Sequence, residues 1–136
     1  MLDKENLKKL RNINNIKDPE VRKRVKLNFL MSIKKNTDKN IRSDFLTFVK
    51  YIWPDFIEGS HHKTIADKFN RLRSGELKRL IINMPPRHTK SEFASYFLPA
   101  WMIGNDPKLK IIQATHTAEL AVRFGRKTKN LIDSNE

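Results

Sequence analysis

The residues of this chain best suited to chemistry lie at positions 80–91: Leu80-Ile81-Ile82-Asn83-Met84-Pro85-Pro86-Arg87-His88-Thr89-Lys90-Ser91. A short apolar, β-branched run enters a proline-rich loop, and Lys-Ser follows where a helix is expected to start. That layout suits a phosphate. Successive backbone N–H groups of a tight loop surround an anion. A helix N-terminus adds unpaired donors and a favourable dipole. A lysine there reaches the β- and γ-phosphates, and the hydroxyl after it serves Mg2+. Aligned on Lys90, the pattern G-x-x-x-x-G-K-[ST] is matched only in part: Met84 stands at the first glycine and Thr89 at the second. Glycine is useful at such positions because it tolerates positive φ. A β-branched threonine there is strained. Spacing alone leaves two readings open, a phosphate loop and an ordinary strand-to-helix turn with a surface lysine.

The wider run of residues separates them. The stretch 80–92, ending Pro85-Pro86-Arg87-His88-Thr89-Lys90-Ser91-Glu92, closely resembles the phosphate loop of tailed-phage terminase large subunits, the ATPases of viral DNA-packaging motors. Those loops commonly read P-P-R-H-G-K-S-E and lack the first glycine, so Met84 fits and Thr89 is this chain's departure. The likeness continues through Phe97-Leu98-Pro99-Ala100-Trp101, Gly104, the stretch from Ile111 to Ala121, and Phe124-Gly125-Arg126. Upstream, residues 45–54, His61-His62 and Arg79-Leu80 also fit. It covers residues 43–136 and leaves 1–42 outside.

The resemblance implies that Pro85, Pro86, Arg87, His88, Thr89, Lys90 and Ser91 hold ATP, with Ser91 binding the phosphates through Mg2+. It implies catalytic roles for Arg87, on the γ-phosphate, and for Lys90. His88 either shapes the loop or takes part in the chemistry. Glu92 is expected to cap or to pair with a nearby arginine. His61 and His62 are expected as a surface pair at a helix start, although the family places this region near the adenine. Thr115-His116-Thr117 reads equally as a coupling segment or as a helix cap. Trp53 and Trp101 read as core or interface anchors. The implied partners are double-stranded DNA, the portal protein, the small terminase subunit and a ring of like subunits, in the host cell cytoplasm.

These residues need elements to position them. Asp18-Pro19-Glu20 reads as a helix start, and Val21, Val25, Phe29 and Ile33 form an apolar stripe over 19–35. Residues 1–17 read as a frayed helix or mobile arm, and 36–42 as a polar linker. Helices are expected over 44–52 and 61–72, with Ser74-Gly75 as a stop. Buried strands are expected at 80–82 and 110–115, each followed by a helix, over 90–102 and 117–132. The expected fold class is α/β: a helical N-terminal portion (1–42) leading into the start of a P-loop parallel sheet (43–136). Two strands do not satisfy such a sheet, so an incomplete domain is expected.

The 136 residues carry a formal net charge of +13. Residues 1–42 hold 13 Lys/Arg against 5 Asp/Glu, a net of +8, so the excess is concentrated there. Such a surface attracts polyanions; the plainer reading is a solvated helical face. There is no cysteine, which excludes disulfides, and the four histidines form no spaced metal motif. No apolar run approaches the length of a membrane span. An acidic pair closing a later strand, which hydrolysis by such motors requires, is not found after Asp106, nor is a nuclease domain, so little or no hydrolysis is expected from this chain. Two rivals stand beside the packaging motor: another P-loop motor such as a helicase, and a non-catalytic basic DNA-binding or assembly arm.

Overall fold

The computed structural model describes residues 4–133. They form six α-helices: α1 (Lys4–Asn14), α2 (Pro19–Ser43), α3 (Phe45–Ile52), α4 (Ser60–Arg73), α5 (Leu98–Asn105) and α6 (Ala118–Asp133). A π-helical stretch, Glu92–Phe97, runs directly into α5. No described helix is long and apolar enough to cross a membrane. The chain divides into two compact units, Met1–Lys39 and Asn40–Glu136.

The expected α/β class is overturned. Among the described residues no strand forms, and the structure is all-α. Residues 80–85 and 109–115 have no regular secondary structure and lie outside any ladder. A strand is defined by hydrogen bonds to a neighbour. Among the described residues, the backbone bonds outside the helices include none from 80–84 or 110–115. The expected burial fails too: Ile81 is 87% exposed and Ile112 is 96% exposed. Each segment instead packs against helices. Leu80, Ile82 and Met84 pack on the core, and the Gln113 side-chain amide donates to the Ser95 carbonyl at 3.1 Å.

In the first unit, the arm expected over 1–17 is the helix α1 from Lys4 onward, with residues 1–3 outside the described residues. The Asp18 carboxylate accepts from the Glu20 and Val21 N–H groups at 2.9 and 3.3 Å, so the expected helix start is there. The helix does not stop at residue 35: the expected polar linker over 36–42 is part of α2. Its lysines and asparagines carry no apolar stripe, but a solvated helix needs none when it is already nucleated.

The second unit holds the core. Phe45, at its centre and fully buried, meets Phe69, Phe93 and Trp101 edge-on, with ring centroids 4.9, 5.4 and 5.5 Å away. Val49, Ile65, Ala66, Phe97, Ala100 and Leu131 complete it. Trp101 is the core anchor expected of it, and its indole N–H donates to the Ile41 carbonyl at 2.9 Å. At the head of α3, Asp44 caps the helix. Its carboxylate accepts from the Thr47 N–H and hydroxyl, both at 2.7 Å, and from the Asn70 amide at 2.8 Å. Asn70 in turn accepts from the Phe45 N–H at 2.9 Å. These bonds tie α3 to α4. Gly75 has φ of 78°, the left-handed residue expected after α4.

Candidate phosphate-binding loop

Residues 85–91 leave the segment 80–84 and enter the helix that begins at Lys90. Arg87 and Thr89 have φ of 63° and 59°, and His88 between them lies outside the left-handed region. Left-handed residues alternating with others are the backbone pattern from which anion-binding nests are built. A concavity is present here: residues Pro85 to Glu92 alone line a cavity of about 330 Å3. Every residue proposed from the sequence for the phosphate site, Pro85, Pro86, Arg87, His88, Thr89, Lys90 and Ser91, borders it. Arg87 and Lys90 are exposed, and neither makes an ion pair among the described residues. Both cations stand open to an anion.

Left-handed backbone is expensive for a β-branched residue, on the order of 1–3 kcal/mol. The structure shows what offsets it at Thr89. The Thr89 hydroxyl donates to the His88 carbonyl at 2.6 Å and accepts from His62 Nε2 at 2.7 Å. His62 is therefore not the surface residue expected. It is 5% exposed, and its ring lies edge-on to Phe56 with Phe93 beside it, centroids 4.7 and 5.1 Å away. Its other nitrogen, Nδ1, accepts from the Gly59 N–H at 2.8 Å and so serves the N-terminus of α4. A Cβ at Gly59 would meet the His61 ring at 2.9 Å, so that ring would have to shift to admit one. Sequence reasoning missed His62 because its partner lies 27 residues away. The only local signal is a histidine three residues after a glycine cap, where capping-box acceptors stand.

Burial holds the His62 pKa below its ordinary value, and the neighbouring His61 and His88 add to that, while Glu58 opposes it. His88 folds back on the loop, donating from Nδ1 to the Pro86 carbonyl at 2.8 Å, which is the loop-shaping role. Glu92 pairs with Lys127 at 3.0 Å, and that ammonium also lies 4.9 Å from the Tyr96 ring. The pair fastens α6 beside the loop's helix. Thr117 caps α6, its hydroxyl accepting from the Leu120 N–H at 3.3 Å, which favours the cap reading of that segment. A second cleft of about 390 Å3, between α4 and residues 80–84, is lined by His61, Thr64, Ile65, Lys68 and Ile82 among others.

Among the described residues no group of three or more His, Asp or Glu is placed to hold a metal. A Mg2+ at the loop would depend on the Ser91 hydroxyl together with phosphate oxygens, as such sites usually do. No family model, curated protein or solved structure matches this chain.

Proposed function

We propose that residues 85–91 bind the phosphates of Mg2+-ATP, and that the chain supplies this part of a terminase-type motor moving double-stranded DNA into a procapsid. One observation carries the nucleotide reading. Two left-handed residues, alternating with His88, curve the loop round its own cavity and deliver Lys90 and Ser91 to a helix start. In this reading Lys90 neutralises the β- and γ-phosphates and Ser91 supplies the hydroxyl for Mg2+. Arg87 faces the γ-phosphate, and the cleft beside His61 takes the base. The family assignment rests on the resemblance of residues 43–136 and not on the fold. The portal, the small subunit and a ring of like subunits follow from that assignment, as does the host cytoplasm.

A second reading has its own support. The first unit buries no side chain in either helix, and residues 1–42 carry a net of +8. A basic DNA-binding arm without nucleotide would look the same there.

One titration separates the two. Mg2+-ATP is added to the 136-residue chain and to Lys90→Ala, by calorimetry, with duplex DNA titrated in parallel at several salt concentrations. The nucleotide reading expects binding that weakens at least about tenfold in Lys90→Ala, the scale of a lost charge-assisted contact. Absence of nucleotide binding, with DNA affinity falling steeply as salt rises, rejects it for the basic arm.

A further inference from the structure

We infer that His62 is a positioning residue for the phosphate loop, clamping the Thr89 hydroxyl so that the left-handed turn keeps its N–H groups aimed into the cavity. The inference rests on the phosphate-binding reading and adds to it a residue outside the loop.

The proton count fixes the arrangement. The Gly59 N–H can only donate, so His62 Nδ1 must present its lone pair. The imidazole proton is then on Nε2, which donates to Thr89 Oγ1 at 2.7 Å. The Thr89 hydroxyl proton is left for the His88 carbonyl at 2.6 Å. Each proton is used once and each bond runs in one direction: Gly59, His62, Thr89, His88. Reversing any member sets two donors or two acceptors face to face.

The chain of bonds links two places that matter. One end caps α4 at Gly59; the other end is the loop residue with φ of 59°. His62 cannot swing away, because it is buried against Phe56 and Phe93. Phe93 belongs to the π-helical stretch that follows the loop, and its N–H donates to the Thr89 carbonyl at 2.9 Å. Thr89 is thus gripped through its side chain by α4 and through its backbone by the following helix. A glycine at this position would reach the same φ without strain but would offer His62 nothing to hold. The threonine that spoils the sequence pattern is the residue that makes a fixed loop.

Two conservative substitutions divide the functions of the ring. His62→Asn keeps an acceptor near Nδ1 for the Gly59 N–H and loses the reach to Thr89. His62→Gln keeps a donor near Nε2 for Thr89. Dissociation constants for Mg2+-ATP are measured on the full chain, with Thr89→Val and the His62→Asn/Thr89→Val pair alongside. The expected result is a loss of about fivefold to tenfold for His62→Asn and for Thr89→Val, one hydrogen bond's worth. The double variant should lose no more than either single one, because both break the same contact. His62→Gln should stay within about twofold of the parent chain. Equal losses for Asn and Gln, or additive losses in the double variant, overturn the inference.

Failure of the nucleotide reading is told apart by nuclear magnetic resonance. With no nucleotide present, the His62 Nε2 proton should be slow to exchange and should become fast in Thr89→Val. If the parent chain binds no nucleotide, the phosphate role of the clamp falls, and a slow Nε2 proton leaves only a structural clamp. If that proton exchanges fast in the parent chain, the clamp itself is refuted.

Discussion

Residues 4–39 form helices in which no side chain is buried, whereas Phe45, Val49, Phe69, Phe93 and Trp101 in the second unit are all but sealed from solvent. The first unit has apolar residues enough: Leu7, Val21, Leu27, Leu30 and Met31 are between 37% and 59% exposed. What it has for support is local. Asp18 caps α2, Lys9 pairs with Glu5 one turn away, and the Ser32 hydroxyl bonds back to the Phe29 carbonyl. The second unit uses the same local devices and adds contacts across tens of residues. The difference teaches that a regular helix and a stable helix are separate achievements. Local signals suffice to set the first; burial sets the second, since short isolated helices are marginal in water.

The most severe way to test this is to remove one ring from the core and one from the arm. Phe45→Ala deletes the side chain that Phe69, Phe93 and Trp101 all touch. It should cost about 3–5 kcal/mol, read as a lower midpoint in denaturant unfolding. Leu27→Ala in α2 should change the same midpoint by less than about 0.5 kcal/mol. A comparable loss at Leu27 would show that α2 buries this side chain, and the contrast would collapse.

A gentler test compares what a cap does in each setting. Partial burial by itself would raise the Asp44 carboxyl. The hydrogen bonds from Thr47 and Asn70, with a smaller contribution from Lys50, outweigh it and hold the pKa below the ordinary carboxylate range. A carboxyl lowered by folding stabilises the native state above its unfolded pKa. That contribution is lost as pH falls through the lowered, folded value. Asp44→Ala should cost about 1 kcal/mol near neutral pH, in the usual range for a lost cap. In Asp44→Asn, which keeps one acceptor and cannot ionise, the acid-side slope of stability against pH should flatten between the unfolded and folded values. An unchanged slope would mean that Asp44 is not what the acid limb reports.

The same contrast explains which features the sequence disclosed. The helix start at Asp18-Pro19 and the stop at Gly75 are legible in the sequence, because capping chemistry is settled within three or four residues; at α3 the sequence offers Ser43 as the cap, and the structure uses Asp44. The turn over residues 85–91 stands out in the sequence by resemblance, its spacing matching only in part, and the cavity there is lined by eight consecutive residues. The strands expected at 80–82 and 110–115 do not form. β-branched runs show that a segment prefers to be extended, but a ladder needs a neighbour that no local pattern supplies. Ile81 and Ile112 are bare to solvent. His62 departs from expectation in the opposite sense, being buried. A polar pair at a helix start reads as surface, and only the fold brings Phe56, Phe93 and Thr89 around one of its two members. Residues 36–42 read as a linker because they are polar, yet they continue α2.

The smallest expected effect is at Asp18, the cap of the arm. Its carboxylate accepts from Glu20 and Val21 in the same first turn, whereas that of Asp44 also holds Asn70 on another helix. Asp18→Ala should therefore fray the first turn of α2 by roughly 0.5–1 kcal/mol, visible as faster amide exchange over residues 20–23. The global unfolding midpoint should not move, because that turn adds no buried surface to the cooperative unit. Circular dichroism should register at most a small loss of helix. A midpoint that falls with Asp18→Ala as far as with Asp44→Ala would show the two units melting as one. The cap of the arm would then be holding the core as well, and the separation of regular from stable helix would fail in this chain.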